Sequence, residues 1–393
     1  MPLLPPIRLA GARVLRDGAL RDMDLTIAEG RLSEEEAPAV DLSGYLVLPG
    51  IVDLHGDGFE RHLSPRPTAP FEKAEALRSA AAELASNGVT TAWFAQSWSW
   101  EGGFRAGSEA EAILVALDRI RPRLLPDVRM QIRLETHVLP EHPRVLDAVR
   151  RHGVDYIVFN NHLPEAVELA RDRPDRFASW AAQHRRTPEE QMARVTAAME
   201  QEPEVKGALA RLAAEFVALG VRLGSHDDAD AETRAFYRGI GAGIAEFPTT
   251  EAAARAAREA GEPVLMGAPN VVRGGSQSGN IAAEALVASG LCDALVSDYY
   301  YPALAQAAWR LADAGALSFA AAWEAVSTVP ARIAGLADRG RLDAGLRADL
   351  VVVDPSTRTV EATIAGGRMA HLAGGAAQRF MGAKAMARAA AAS

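Results

Sequence analysis

LVLPGIVDLHGD, residues 46–57, carries the reading from which the fold follows: a turn at Pro49 and Gly50 leads an apolar run into His55 and Asp57. These two alternate along a strand, so both side chains leave the same face and can grip one ion. Four further strand-like runs end in a comparable group: MQIRLE in Glu135, VDYIVFNNH in His162, VRLGSHDD in His226 and its following acids, and DALVSDYY in Asp298. One such run is ordinary. Five along one chain, each closing on a hard or borderline ligand, read as a metal-binding hydrolase.

Between these runs lie alanine-rich helical stretches such as FEKAEALRSAAAELASNGV and TEAAARAAREAGEPV. Strands alternating with helices predict parallel pairing, and about eight units suit a distorted (β/α)8 barrel better than an open sheet. In such a barrel the carboxyl ends of the strands face the mouth, which is where the ligands fall. Residues 1–48 and 340–393 share a different texture of short strands and turns, so the two ends predict one composite β-sandwich domain around a barrel at 49–339. Residues 164–220 form an unusually long helical insertion. Its portion RDRPDRFASWAAQHRR holds Arg171, Arg173, Arg176, His184, Arg185 and Arg186, which fits a solvated helix face or a cationic lid.

A chain of 393 residues, 49% hydrophobic and 24% charged, can bury a large core and a smaller one. Its net charge of −9 argues against nucleic acid as a partner while leaving room for a local cationic pocket. Cys292 is the single cysteine, so no disulfide framework or thiolate zinc site can form and any metal falls to His and carboxylates. No run approaches a membrane span, and no secretory signal is evident; a cytoplasmic protein is the expectation, with no membrane partner and a homodimer left open.

The stretch LVLPGIVDLHGDGFERHLSPRP, residues 46–67, resembles the first-strand signature of the amidohydrolase superfamily in its PhnM-like form, the triphosphate diphosphatases of phosphonate use. LGSHDDADAETRAFYRGIGAGIAEFPTTEAA, VLMGAPNVVRGGSQSGNIAAEAL and LCDALVSDYYYPAL are similar to the corresponding segments. RGRLDAGLRADLVVVDP resembles the superfamily's return to the small sheet domain. The resemblance implies one or two divalent ions, zinc first with manganese or iron as alternatives, held by His55, Asp57, Glu135, His162 and His226, with Asp298 at the last strand. Gly56 and Gly58 depart from the pattern, standing where those relatives commonly carry Thr and Asn, and predict a wider mouth with two fewer hydrogen-bonding groups. His137 and His142 are rivals to Glu135, which is preferred because a bridging position favours oxygen.

A divalent ion in such a cage lowers the pKa of a coordinated water towards about 7, which supplies a nucleophile at neutral pH. Asp298 is placed to accept the proton of that water and deliver it to a leaving group; its bland reading is a cap for the helix that follows. In APNVVRGGSQSGN, Gly274 and Gly275 let the backbone approach an anion while Ser276 and Ser278 supply donors. Arg273 adds a guanidinium, and Arg61, His62 and Arg66 follow the first metal motif directly. Together they favour a small phosphorylated substrate. The expected reaction is hydrolysis of a phosphoanhydride in a ribose 5-triphosphate with release of pyrophosphate, and the resemblance names α-D-ribose 1-methylphosphonate 5-triphosphate. A deaminase or cyclic amidase on the same barrel is the alternative, followed by a non-catalytic scaffold.

Overall fold

The computed structural model describes residues 2–66, 69–184, 186–276 and 279–392. Eight parallel strands follow one another in chain order around a nearly closed barrel: β1 (Ile51–Gly56), β2 (Val89–Trp98), β3 (Asp127–Glu135), β4 (Tyr156–Asn160), β5 (Arg222–His226), β6 (Ile244–Glu246), β7 (Val264–Gly267) and β8 (Ala294–Val296). The strands are fully or largely buried, as expected when a parallel sheet is covered on one side by helices and filled by side chains on the other. β8 has only three residues, and the seam beside it closes at the mouth. There Gly56 bridges Asp298, the Asp298 amide donates to the His55 carbonyl at 3.0 Å, and the Asp57 amide donates to the Asp298 carbonyl at 2.8 Å.

Alternation along the strands sorts their side chains between two cores. Val52, Leu54, Trp93, Val158, Leu265 and Val296 form one apolar cluster, whereas Phe94, Ile132, Phe159 and Met266 join the helices in another. The helix Lys73–Ser86 shows how the outer layer is made. Glu72 caps it by accepting from the Glu75 amide, and Leu77, Ala80, Ala81 and Leu84 recur at helical spacing on its buried face.

Two further sheets come from the chain ends, the first from the beginning alone and the second from both. One orders Arg31–Ser33, Leu25–Ala28, Ile7–Ala10 and Ala39–Asp41; the other orders Arg368–Leu372, Thr359–Ala365, Leu350–Asp354, Leu46–Pro49, Arg13–Arg16 and Ala19–Asp22. Leu9, Ile27, Val47, Val352 and Ile364 pack in the core they share. Between β4 and β5 the chain makes four helices, Leu163–Asp172, Pro174–Gln183, Pro188–Met199 and Glu202–Ala218, where a single crossover helix would suffice. Among the described residues no helix is long and apolar enough to cross a membrane.

Candidate metal centre

His55, at the end of β1, is fully buried, and its Nδ1 lies 2.6 Å from Oε2 of Glu246 at the end of β6. The other Glu246 oxygen accepts from Gln131 Nε2 at 2.8 Å and from the Tyr156 hydroxyl at 2.5 Å. Glu246 is thus held by Gln131 and Tyr156 on one oxygen and orients the His55 ring with the other. His55 Nε2 is left buried without a partner among the described residues. A carboxylate on one imidazole nitrogen with the other nitrogen unclaimed is the arrangement of a metal-binding histidine. The His226 ring stands beside it, 5.2 Å between centroids, and packs against Phe247. His226 Nδ1 lies 2.8 Å from the Asp227 carboxylate but off the hydrogen-bond direction, so it too lacks a hydrogen-bond partner among the described residues. Burial lowers the His226 pKa, whereas for His55 burial is outweighed by the charge and the hydrogen bond of Glu246 together and the shift is upward.

A second group lies on the ends of β2 to β4. Glu135 Oε1 is 2.6 Å from His162 Nδ1, the His162 amide donates to Glu135 Oε2 at 3.1 Å, and Glu101 Oε1 is 3.8 Å from the same imidazole. Ligand atoms of Glu101, Glu135 and His162 fall within 4.8 Å of one another, as do those of His55, His226 and Glu246. Asp57 is held at 3.3 Å by Arg133 Nη1.

Asp298 faces this assembly in a left-handed backbone conformation, φ 53°, and Asp227 does likewise at φ 60°. A non-glycine residue is strained in that geometry, and such positions gather at functional sites. Burial, and then the neighbouring charge of Asp57, push the Asp298 carboxyl up to about 6. The same two causes raise Glu60 to about 7. Against burial, the His226 ring holds Asp227 down at about 2. Buried carboxylates that hold their protons so strongly mark a place built for more positive charge than the chain itself supplies. With the unclaimed His55 nitrogen, this imidazole and carboxylate set fits a divalent cation.

The reading of Asp298 as a helix cap does not hold. Pro302, not Asp298, stands at the N-terminus of Ala303–Asp313, and the helix Ala231–Gly239 is capped by Asp230, not by Asp227 or Asp228. Asp228 has a structural role, accepting from Ser225 Oγ at 2.6 Å and from the buried Arg234 at 3.1 Å. Of the rivals to Glu135, His137 is engaged on both ring nitrogens, by Thr136 and by Glu202, and belongs to the contact with the helical insertion. His142 starts the helix His142–His152.

Beside these imidazoles and carboxylates lies a cleft of about 170 Å³ lined by Arg133, His226, Asp227, Asn270, Ser276 and Asp298, among others. Gly274 and Gly275, with φ 78° and 143°, follow the short helix Ala268–Arg273 and bring Ser276 to this lining. Ser278 lies outside the described residues. Arg273 is exposed and donates to the Tyr299 hydroxyl at 3.2 Å. Arg61 and His62 correct the expectation from sequence: both are drawn to Glu83 on the covering helix, His62 at 2.6 Å, and Arg61 also donates to the Tyr299 carbonyl at 2.8 Å. Arg66 is exposed. The wider mouth expected at Gly56 and Gly58 is also absent. A Cβ on Gly56 would lie 2.7 Å from Ser297 Oγ and 2.8 Å from Asp53 Oδ2, and one on Gly58 would lie 3.2 Å from Tyr301 Cζ. Neighbouring side chains fill the space. In the insertion, Arg186 donates to the Glu101 carbonyl and Arg194 to that of Trp100, while Arg171 pairs with Asp172, so these cations fasten the insertion to itself and to the β2 loop.

The amidohydrolase family matches residues 46–370, from the strand before the barrel into the strand Arg368–Leu372 of the six-stranded sheet. The chain belongs to the amidohydrolase family. Members of this family generally bind divalent metals, in agreement with the donor set above. One relative, the alpha-D-ribose 1-methylphosphonate 5-triphosphate diphosphatase of Escherichia coli K12, is 34% identical over 359 residues, covering 88% of this chain and 91% of that protein. Among solved structures, molinate hydrolase superposes with a TM-score of 0.65 at 15% identity, covering 94% of this chain and 95% of that one. The N-acetylglucosamine-6-phosphate deacetylase of Pasteurella multocida gives 0.61 at 10% identity, covering 93% and 99%. These structural likenesses show the fold alone.

Glu246, Glu101, Glu60, Gln131 and Arg133 escaped the reading of the sequence. For β3 a signal was present: Gln131, Arg133 and Glu135 alternate in MQIRLE, so the strand that presents Glu135 to the mouth must present the other two on the same face. For Glu246 the strand is three residues long, too short for its period to show.

Proposed function

We propose that this chain is a metal-dependent hydrolase that cleaves a phosphoanhydride of a ribose 5-triphosphate, with α-D-ribose 1-methylphosphonate 5-triphosphate as substrate and the 5-phosphate and pyrophosphate as products. The observation that carries the reading is the near full-length similarity to a diphosphatase of that specificity, joined to a donor set suited to hydrolysis. His55, Asp57, Glu135, His162, His226 and Asp298 would hold the cation, zinc being the first expectation for imidazole and carboxylate donors. When bound, such a cation polarises a phosphoryl oxygen and lowers the pKa of water.

The remaining work belongs to the chain. Asp298, buried and raised to about 6, accepts the proton of the water that attacks the α-phosphorus and returns one to the departing pyrophosphate. Glu246 keeps the His55 ring in one tautomer and orientation. Ser276 and Asn270 line the cleft beside Asp298 and offer neutral donors to phosphoryl oxygens. Incubating the metal-loaded protein with ribose 5-triphosphates and, separately, with cyclic amides and aminated heterocycles tests this. Pyrophosphate release from the first group is expected; ammonia release or ring opening with the second, and none with the first, would replace the proposal by the amidase reading.

A further inference from the structure

Arg133 lies on β3 between Gln131, which holds Glu246, and Glu135, which holds His162, so its guanidinium stands between the two ligand groups. It is buried and lines the cleft with His226, Asp227 and Asp298. A guanidinium has five N–H donors in a planar fork. Among the described residues it makes a single hydrogen bond, Nη1 to Asp57 at 3.3 Å, and its Nε is buried with no partner.

Two other buried arginines of this protein look different. Arg234 donates to Ser225 Oγ at 2.5 Å, to Asp228 at 3.1 Å and to the carbonyls of Ala242 and Ile244. Arg339 donates to Thr91, Asp127 and Asp338 at 2.9 to 3.1 Å. Those side chains are held on several sides, as a buried cation must be when its purpose is structural. Arg133 is held by one long contact and turned to an open cleft. The cations on neighbouring loops do not compete for this position, since Arg61 is committed to Glu83 and Arg273 sits at the exposed rim.

We propose that Arg133 is the phosphoryl-oxyanion receptor of the cleft, presenting its fork to the oxygens of the phosphoanhydride and of the pyrophosphate that leaves. This rests on the phosphoanhydride reading above and adds the residue that recognises the anion. A planar fork matches two phosphoryl oxygens at once, through hydrogen bonds strengthened by charge on both partners. Asp57 holds the guanidinium by one edge and leaves the other to the ligand. Because the interaction strengthens as charge gathers on the departing oxygens, loss of Arg133 lowers kcat as well as affinity.

The test is calorimetric binding of inorganic pyrophosphate to the metal-loaded enzyme, with turnover of a ribose 5-triphosphate alongside, for wild type, Arg133→Gln, Arg133→Lys and the control Arg332→Gln at the opposite end of the barrel. With metal content and melting temperature at wild-type values, Arg133→Gln is expected to bind pyrophosphate ten- to a hundred-fold more weakly. Arg133→Lys should recover part of the loss, and the control should match wild type. Should Arg133→Gln fail to fold, the comparison rests on Arg133→Lys, which keeps the charge and loses the fork. Unchanged binding in both variants overturns the role of Arg133 and leaves the diphosphatase reading standing. Loss of metal from both variants also overturns it, since Arg133 would then be part of the frame of the metal site. A wild-type enzyme that neither binds pyrophosphate nor releases it from triphosphates removes both.

Discussion

Asp298 shows at one residue how the site stores its chemistry. Its backbone is strained at φ 53°, its carboxyl is buried, and Asp57 beside it resists a second negative charge. Replacing it by Asn is expected to leave metal bound by the remaining ligands and to reduce turnover at least about 100-fold, the usual cost of losing a general acid or base; full activity would remove Asp298 from proton transfer. The same group predicts how the chelated protein responds to pH. The folded pKa of about 6 lies above the ordinary 3.8, so the folded state holds a proton that the unfolded chain gives up. That contribution is complete below about pH 4 and disappears as pH rises through 6, a change on the order of 3 kcal/mol for this shift. In EDTA, Asp298→Asn should therefore be more stable than wild type at pH 8 and lose that advantage at pH 4, measured as the difference in melting temperature; a difference independent of pH would refute the account. Glu246 gives a separate prediction. Changed to Gln, it still fills the space between His55, Gln131 and Tyr156 but no longer carries charge to the imidazole, and metal affinity should drop about 10- to 100-fold. Titration with a competing chelator measures it, and unchanged affinity would make Glu246 a packing residue.

At the scale of an element, the seam between β1 and β8 explains what the sequence displayed and what it hid. The placement of His55, Asp57 and Asp298 at the barrel mouth was legible because the apolar strand runs before them are long enough to see and a barrel strand ends at the mouth. The meaning of Gly56 was not legible. A glycine in a metal motif reads as empty space, whereas here it is where Ser297, Asp53 and Tyr301 close on the strand. Asp53 itself accepts from the Ser297 amide at 3.0 Å and from its hydroxyl at 2.5 Å, tying β1 to the end of β8 across the gap in the ladder. Gly56→Ala should thus destabilise the protein by about 1–3 kcal/mol through overpacking and disturb Asp298, which bridges the same glycine. Thermal unfolding and metal content read both effects; a stable, fully loaded variant would show that the seam has slack. Arg61 and His62 teach the converse. Their nearness in sequence to the metal motif suggested an anion site, but the turn after β1 carries them towards Glu83 on the covering helix, a contact between elements that no local pattern announces.

Across the whole molecule, the composite sheet domain was legible because the two ends share one texture, and the strand Leu350–Asp354 shows why neither end is complete alone. It pairs with Leu46–Pro49 from the beginning of the chain and with Thr359–Ala365 from its end. Its alternating side chains enter different cores: Val351 and Val353 join the cluster that packs the barrel strands against their helices, while Leu350 and Val352 join the core between the two terminal sheets. The Thr363 hydroxyl adds a tie by donating to the Ala85 carbonyl on the covering helix at 2.7 Å. A strand that serves two cores couples their stability, since opening one strips contacts from the other. Val351→Ala and Val352→Ala, adjacent in sequence and opposite in direction, should each cost about 2 kcal/mol from lost burial and the cavity left behind. Both should lower one shared calorimetric transition, with near-ultraviolet circular dichroism and metal release following the same curve. If Val352→Ala instead separates an early transition that leaves metal bound, the terminal sheets unfold on their own and the barrel stands without them.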